Sequence, residues 1–215
     1  MLEIKNLKKT FDNGTEALSG VNLKVQKGEF LSILGPSGSG KTTLLRSING
    51  LEGIDSGSIF FDDEKINQKN LSEIRKKTGM IFQEFNLVNN LSAINNVLSG
   101  LLNSSSKFLS MFYLFTKEQR LEALKALETV GLLNKAYNRV DELSGGQRQR
   151  IGIARALYRD PKTIIFDEAT SSLDYQTERE IMKTIENLNR DLTIIIIAHR
   201  LSTTKNCDRI INISN

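Results

Sequence analysis

The chain has 215 residues, 39% of them apolar and 25% charged, and its 29 basic and 25 acidic side chains leave a net charge of +4. That is the length and balance of one soluble globular domain with ample core, and the mild basic excess suits an acidic ligand or an anionic membrane surface better than nucleic acid. Cys207 stands alone, which excludes an internal disulfide and fits a reducing compartment, and no run approaches the ~20 apolar residues that span a bilayer.

Residues 2–7 and 21–25 alternate apolar and polar, the pattern of half-buried strands. Charged Glu3, Lys5, Lys8 and Lys9 break up the start, so no targeting signal is expected there. A turn at 27–29 leads into a mostly apolar strand at 30–34, then a glycine-rich loop and a helix over 42–49 that Gly50 and Gly53 end. Residues 58–62 and 80–82 predict two more strands. From 84 to 140 the pattern is helical with polar loops. Thr116 and Gln119 form a capping-box pair, followed by Leu121, Leu124, Leu127 and Val130 at helical spacing. After Asp141 the α/β rhythm returns, with a helix over 145–158, a buried strand at 163–166 and a helix over 176–189. An Ile-rich strand of parallel-sheet type follows at 193–198, and a last strand at 208–213. The organisation is an α/β core interrupted by a helical lobe.

Four short segments carry chemistry. Gly35-Pro36-Ser37-Gly38-Ser39-Gly40-Lys41-Thr42 has the spacing of a phosphate loop, between a strand and a helix. Glycines let successive amides point at phosphate oxygens, and the helix N-terminus favours anions. Lys41 is expected to neutralise the β- and γ-phosphates and the Thr42 hydroxyl to ligate Mg²⁺. An apolar strand ending in Asp167 and Glu168 supplies a magnesium-holding carboxylate and a candidate to polarise an attacking water, a role worth ~10²–10⁴-fold. His199, the only histidine, follows the Ile-rich strand at the carboxyl end of a central strand, where α/β sheets bind ligands. Ser144 and Gln147 form a second capping box, but that does not explain Gly145 and Gly146 between them, each costing ~1 kcal/mol in a helix. Bare backbone is useful there if something must approach closely. Gln147-Arg148-Gln149-Arg150, with Arg155 beyond, reads as a solvated helix surface rather than a nucleic-acid face.

Leu143-Ser144-Gly145-Gly146-Gln147 downstream of a phosphate loop resembles the signature of the ATP-binding cassette (ABC) family, and the resemblance covers essentially the whole chain. It implies an α/β fold: a P-loop NTPase core with a mainly parallel sheet, an N-terminal antiparallel β subdomain and an inserted helical signature lobe. The whole of 1–215 is then a single ABC ATPase domain, with 1–84 and 141–215 as nucleotide-binding core and 85–140 as lobe. It implies ATP and Mg²⁺ as ligands, with Thr43 completing the loop that holds the phosphates. Phe11 is expected to stack on adenine, or otherwise to be an ordinary core residue. Gln83 matches the glutamine that reaches magnesium or the water, Asp167 and Glu168 the Walker B end, and His199 the switch histidine. Ser144, Gly145, Gly146 and Gln147 are implied to face the γ-phosphate held by a second ATPase subunit. Asp174, in Ser171-Ser172-Leu173-Asp174, matches the loop crossing that interface.

The resemblance points to an ATP hydrolase powering transport: a head-to-tail homodimer closing on two ATP molecules, with integral membrane permease subunits docking on the helical lobe. It implies a cytoplasmic protein, peripheral on the inner face of the membrane, with no nucleic acid partner. Its subfamily divides. Phe85-Asn86-Leu87-Val88, Asn96-Val97-Leu98-Ser99-Gly100, residues 108–115 and Lys135-Ala136-Tyr137 are similar to phosphonate-importer ATPases. Residues 166–174 and 197–203 look like the exporter type, and Ala169 stands where importers usually carry proline. These expectations describe a hybrid joined between 154 and 167, ending at Asn215 where most relatives continue. Phosphonate import is the leading reading. Exporter-type ATPase, non-transport ABC switch and inactive truncated domain are the alternatives. Residues 108–115 are either a docking patch or ordinary core.

Overall fold

The computed structural model describes residues 1–82, 86–101, 115–167, 174–186, 188, 191–198, 204 and 206–213. It divides into two compact units, one formed by Met1–Met80, Lys162–Glu168 and Asn189–Asn215, the other by Ile81–Pro161 and Ala169–Leu188.

In the first unit, β1 (Leu2–Thr10) and β2 (Glu16–Val25) pair antiparallel. With β4 (Ser56–Phe61) and the two-residue β5 (Glu64–Lys65) they form a sheet of order β2-β1-β4-β5. Both leading strands run longer than their alternation predicts. The register shifts at several points along the β1–β2 pair, which breaks the period-two signal without ending the pairing. The second sheet has order β6-β7-β8-β3-β9, from β3 (Phe30–Leu34), β6 (Thr78–Ile81), β7 (Thr163–Phe166), β8 (Thr193–Ile197) and β9 (Arg209–Asn212). β3 pairs parallel with both β8 and β9, and β8 parallel with β7. Every residue of β7 and β8 is buried, as covered parallel strands require. One core joins the two sheets, from Leu2, Ile4 and Leu7 to Ile165, Ile195 and Ile197.

Among the described residues, two helices accompany these strands. α1 (Lys41–Ile48) follows the glycine loop and buries Leu44, Leu45 and Ile48. α2 (Leu71–Lys77) has too short an apolar pattern to be predicted. Its Arg75 donates from Nε to Asn49 O at 3.0 Å and from Nη2 to Gly50 O at 2.9 Å, a cation closing the carbonyl end of α1.

The second unit is helical. α3 (Ala93–Leu98), α4 (Lys117–Thr129) and α5 (Gly145–Leu157) pack on one another, and α6 (Tyr175–Glu186) packs on α5. The expected capping box opens α4, with Gln119 N donating to Thr116 Oγ1 at 3.2 Å and Thr116 N to Gln119 Oε1 at 2.9 Å. The buried face of α4 is Ala123, Ala126 and Leu127, continued by Val130. Leu121, expected on it, is instead exposed, because small alanines let the neighbours approach on the adjoining stripe. Asn96 is fully buried and satisfied: its Oδ1 accepts from Val88 N at 2.8 Å, and its Nδ2 donates to Val88 O at 3.0 Å and Ser92 O at 3.1 Å. Residues 102–114, with most of the apolar stretch 108–115, lie outside the described residues.

Candidate functional site

In the first unit, β3 delivers the chain into the loop 35–40 and α1 continues it. Gly40 caps α1 at φ +84°, where a Cβ would run into the Ala17 carbonyl, so only glycine turns the chain here. It offers no side chain to the first-turn amides, and no acidic residue follows in that turn. The N-terminus of α1 therefore keeps its positive end for an anion. Lys41 is 3% exposed, and its ammonium donates to Gly35 O at 3.0 Å, Pro36 O at 2.7 Å and Ser39 Oγ at 3.4 Å. The lysine is drawn into the concavity of its own loop, with its charge facing the space the loop encloses.

Beside it, the Thr42 hydroxyl donates to Asp167 Oδ1 at 2.9 Å. Asp167 leaves β7, and β8 lies between β7 and β3, so the contact reaches over the carboxyl end of an intervening strand. Ala198 N donates to Ile33 O at 3.2 Å, which brings the exit of β8 to the same edge. That edge is where open α/β sheets bind ligands. A hydroxyl and a buried carboxylate in direct contact are hard oxygen donors of the kind Mg²⁺ accepts, and the caged lysine and uncapped helix suit a polyphosphate, so the residues fit both groups. Arg46, which sequence reading missed, stands 3.5 Å through Nε from Asp167 Oδ2. Its signal was present: Arg46 follows Thr42 by one helical turn. Phe11 is 37% exposed, so the core reading of its ring is overturned; Lys9 Nζ lies 5.3 Å from the ring centroid. Gln83, Glu168 and His199 lie outside the described residues.

In the second unit, Ser144 caps α5 with the expected box: Gln147 N donates to Ser144 Oγ at 3.3 Å and Ser144 N to Gln147 Oε1 at 3.1 Å. Gly145 is exposed. Gly146 is partly covered, and a Cβ on it would strike Cγ2 of Thr177. Asp174 opens α6: its Oδ1 accepts from Thr177 N at 3.0 Å, its Oδ2 from Thr177 Oγ1 at 2.6 Å, and its carbonyl from Glu178 N at 3.0 Å. The Thr177 hydroxyl and then its amide hold the Asp174 carboxyl below its ordinary value. Thr177 was not predicted, although Asp at a cap and Thr three positions on is a legible pair.

The expectation of a solvated surface at 147–155 does not hold. Gln149 is fully buried. Arg148 donates from Nε to Leu143 O at 2.9 Å and Val140 O at 3.1 Å, and Arg150 meets Glu180 at 2.6 Å. Arg155, its guanidinium pushed down by burial, donates to Asn86 O at 2.8 Å. The arginines brace α5 against its neighbours, each with carbonyl or carboxylate partners that the sequence pattern does not display.

The ABC transporter family model matches residues 18–171. The phosphonates import ATP-binding protein PhnC of Lactobacillus johnsonii is 45% identical over 219 residues, 99% of this chain and 86% of that protein. The dimeric post-hydrolysis structure of the ATP-binding cassette MJ0796, bound to ADP and Pi, superposes with a TM-score of 0.85 at 35% identity, covering 99% of this chain and 94% of that one. The ADP conformation of MJ1267, an ATP-binding cassette of an ABC transporter, gives a TM-score of 0.88 at 31% identity over 99% of this chain and 87% of that one. The α/β cassette with its parallel sheet and antiparallel β subdomain is the architecture they share with it. The chain therefore belongs to the ABC transporter family, as an ATP-binding and ATP-hydrolysing domain.

Proposed function

We propose that this ATPase powers phosphonate import, closing head-to-tail with a second copy around two ATP molecules. The observation that carries the nucleotide site is the 2.9 Å contact from Thr42 to Asp167 beside a loop that already draws Lys41 inward. Residues 35–43 would wrap the phosphates, with Lys41 exchanging loop carbonyls for phosphate oxygens. Phe11, exposed on the same unit, would stack on the adenine. Thr42 and Asp167, with Gln83, would hold the magnesium ion, which supplies charge neutralisation at the phosphates when bound. Glu168 would orient and polarise the attacking water, and His199 would donate to the γ-phosphate; both roles rest on their places in the sequence.

Ser144, Gly145, Gly146, Gln147 and Asp174 would complete the site of the opposite copy, a reading supported by the exposure of Ser144 and Gly145 at the start of α5. The segment 85–140 would dock on membrane permease subunits, placing the protein on the cytoplasmic face of the membrane. The cargo rests on similarity to the named importer. The exporter-like segments fall within the 99% of the chain aligned with it, which favours import. A hybrid origin rests on the exporter-like segments 166–174 and 197–203, with Ala169 in the first of them.

The test is steady-state ATP hydrolysis against protein concentration, with Glu168→Gln beside the parent. The expected rate rises faster than linearly and vanishes in the variant, while ATP binding survives. A strictly linear rate would overturn the two-copy reading. Growth on a phosphonate as sole phosphorus source, in cells whose own importer ATPase has been replaced by this chain, tests the cargo.

A further inference from the structure

Thr177 makes two kinds of contact at once. Its hydroxyl donates to Asp174 Oδ2 at 2.6 Å and its amide to Asp174 Oδ1 at 3.0 Å. Its methyl fills the space where Gly146 has no side chain. A β-branched residue is stiff at χ1, and here the hydrogen bond fixes the rotamer, so the methyl has no low-cost way to turn aside. One turn further along both helices, Arg150 and Glu180 meet at 2.6 Å, a second fastening between the same two elements. α5 and α6 are thereby pinned at 146/177 and at 150/180.

We infer that Thr177 is a positioning residue for ATP turnover. It converts the placement of Asp174 into the placement of the first turn of α5, and Gly146 is a glycine because the Thr177 methyl occupies its Cβ position. This rests on the reading above, in which that turn completes a nucleotide site, but it assigns to an intrachain contact what that reading gives to a close approach by phosphate. Removing the methyl alone frees the space: the next nearest atoms of Thr177, Cβ and Oγ1, stand 3.7 and 3.8 Å from the position of an added Cβ, ordinary contact distances.

The experiment compares Gly146→Ala, Thr177→Ser and the double variant. Thr177→Ser keeps the hydroxyl for Asp174 and loses the methyl. Gly146→Ala should lower kcat about a hundredfold, the scale of a misplacement of about an ångström. Adding Thr177→Ser should restore at least about tenfold of that loss, a rescue that general damage to the fold would not give. Equal rates for Gly146→Ala and the double variant, or full activity in Gly146→Ala alone, would overturn the inference. Amide hydrogen exchange at Gln147 and Arg148, whose amides are held by Ser144, reads the same contact without turnover: protection lost in Gly146→Ala and regained in the double variant is expected, and no difference between them overturns it. A parent chain that fails to hydrolyse ATP would sink the two-copy reading, yet the exchange measurement would still decide this one.

Discussion

Thr42 and Arg46 hold the two oxygens of Asp167 from one face of α1, the hydroxyl on Oδ1 at 2.9 Å and the guanidinium Nε 3.5 Å from Oδ2. Asp167 is almost wholly buried, and a buried carboxylate needs such partners. Thr42→Val keeps the shape and removes the hydroxyl. It should weaken magnesium-dependent ATP binding by at least roughly 10–100-fold, since losing a ligand costs no less than losing a contact that supports one. Nucleotide affinity measured with magnesium and with chelator checks this: the gap between the two should shrink sharply, and an unchanged gap refutes the assignment.

Gly38 and Gly40 have nearly the same backbone angle, φ +82° and +84°, but different surroundings. An alanine at 38 meets nothing within 4 Å, while one at 40 meets the Ala17 carbonyl. Gly38→Ala should cost only the left-handed conformation, about 1–2 kcal/mol. Gly40→Ala should cost clearly more and reduce ATP binding as well. Denaturant unfolding of both variants separates the shared conformational cost from the clash.

Asn96→Leu tests the loop that follows Gln83. The replacement is close in volume but leaves the Val88 N–H without its acceptor, while the Val88 and Ser92 carbonyls keep the Leu91 and residue-96 amides. A loss of about 1–3 kcal/mol is expected, the cost of one buried orphan. Limited proteolysis should cut first at 86–92; an unchanged cleavage pattern contradicts the clamp.

Acid should weaken the first unit through Asp62. The Met1 ammonium, and after it Lys162, holds this carboxyl below its ordinary value, with partial burial opposing them. A carboxyl with a lowered folded-state value adds stability that is complete above its unfolded value, near pH 4, and is lost as pH falls through the folded one. Melting temperature should therefore drop below about pH 4, and Lys162→Met should make that drop shallower. An identical acid profile in the variant would remove Asp62 from the account.

Much of the site was legible in the sequence because its parts are local. Residues 35–42 form a contiguous loop, the Ser144–Gln147 and Thr116–Gln119 boxes are three-residue spacings, and β7 and β8 are unbroken apolar runs. What was not legible depends on contacts distant in sequence. Arg150 and Arg155 look solvated until the carboxylate of Glu180 and the carbonyl of Asn86 are placed beside them. Leu121 has helical spacing yet lies off the packed stripe. Gly146 has its reason in a methyl 31 residues away on another helix. Each miss is a case of tertiary neighbours deciding what the local pattern leaves open.

The place of β3 sets a schedule for synthesis. Its two neighbours in the sheet, β8 and β9, are the last of the described strands to be translated, so the apolar segment Phe30–Leu34 emerges with both edges bare. Thr42 likewise waits 125 residues for Asp167, about 6–25 s at ordinary ribosomal rates of ~5–20 residues/s. Throughout that interval the nascent chain displays the strand edges that invite wrong pairing. A ribosome stalled before residue 193 should therefore present a strong chaperone client, and one stalled past 213, with its exit tunnel cleared, a weak one.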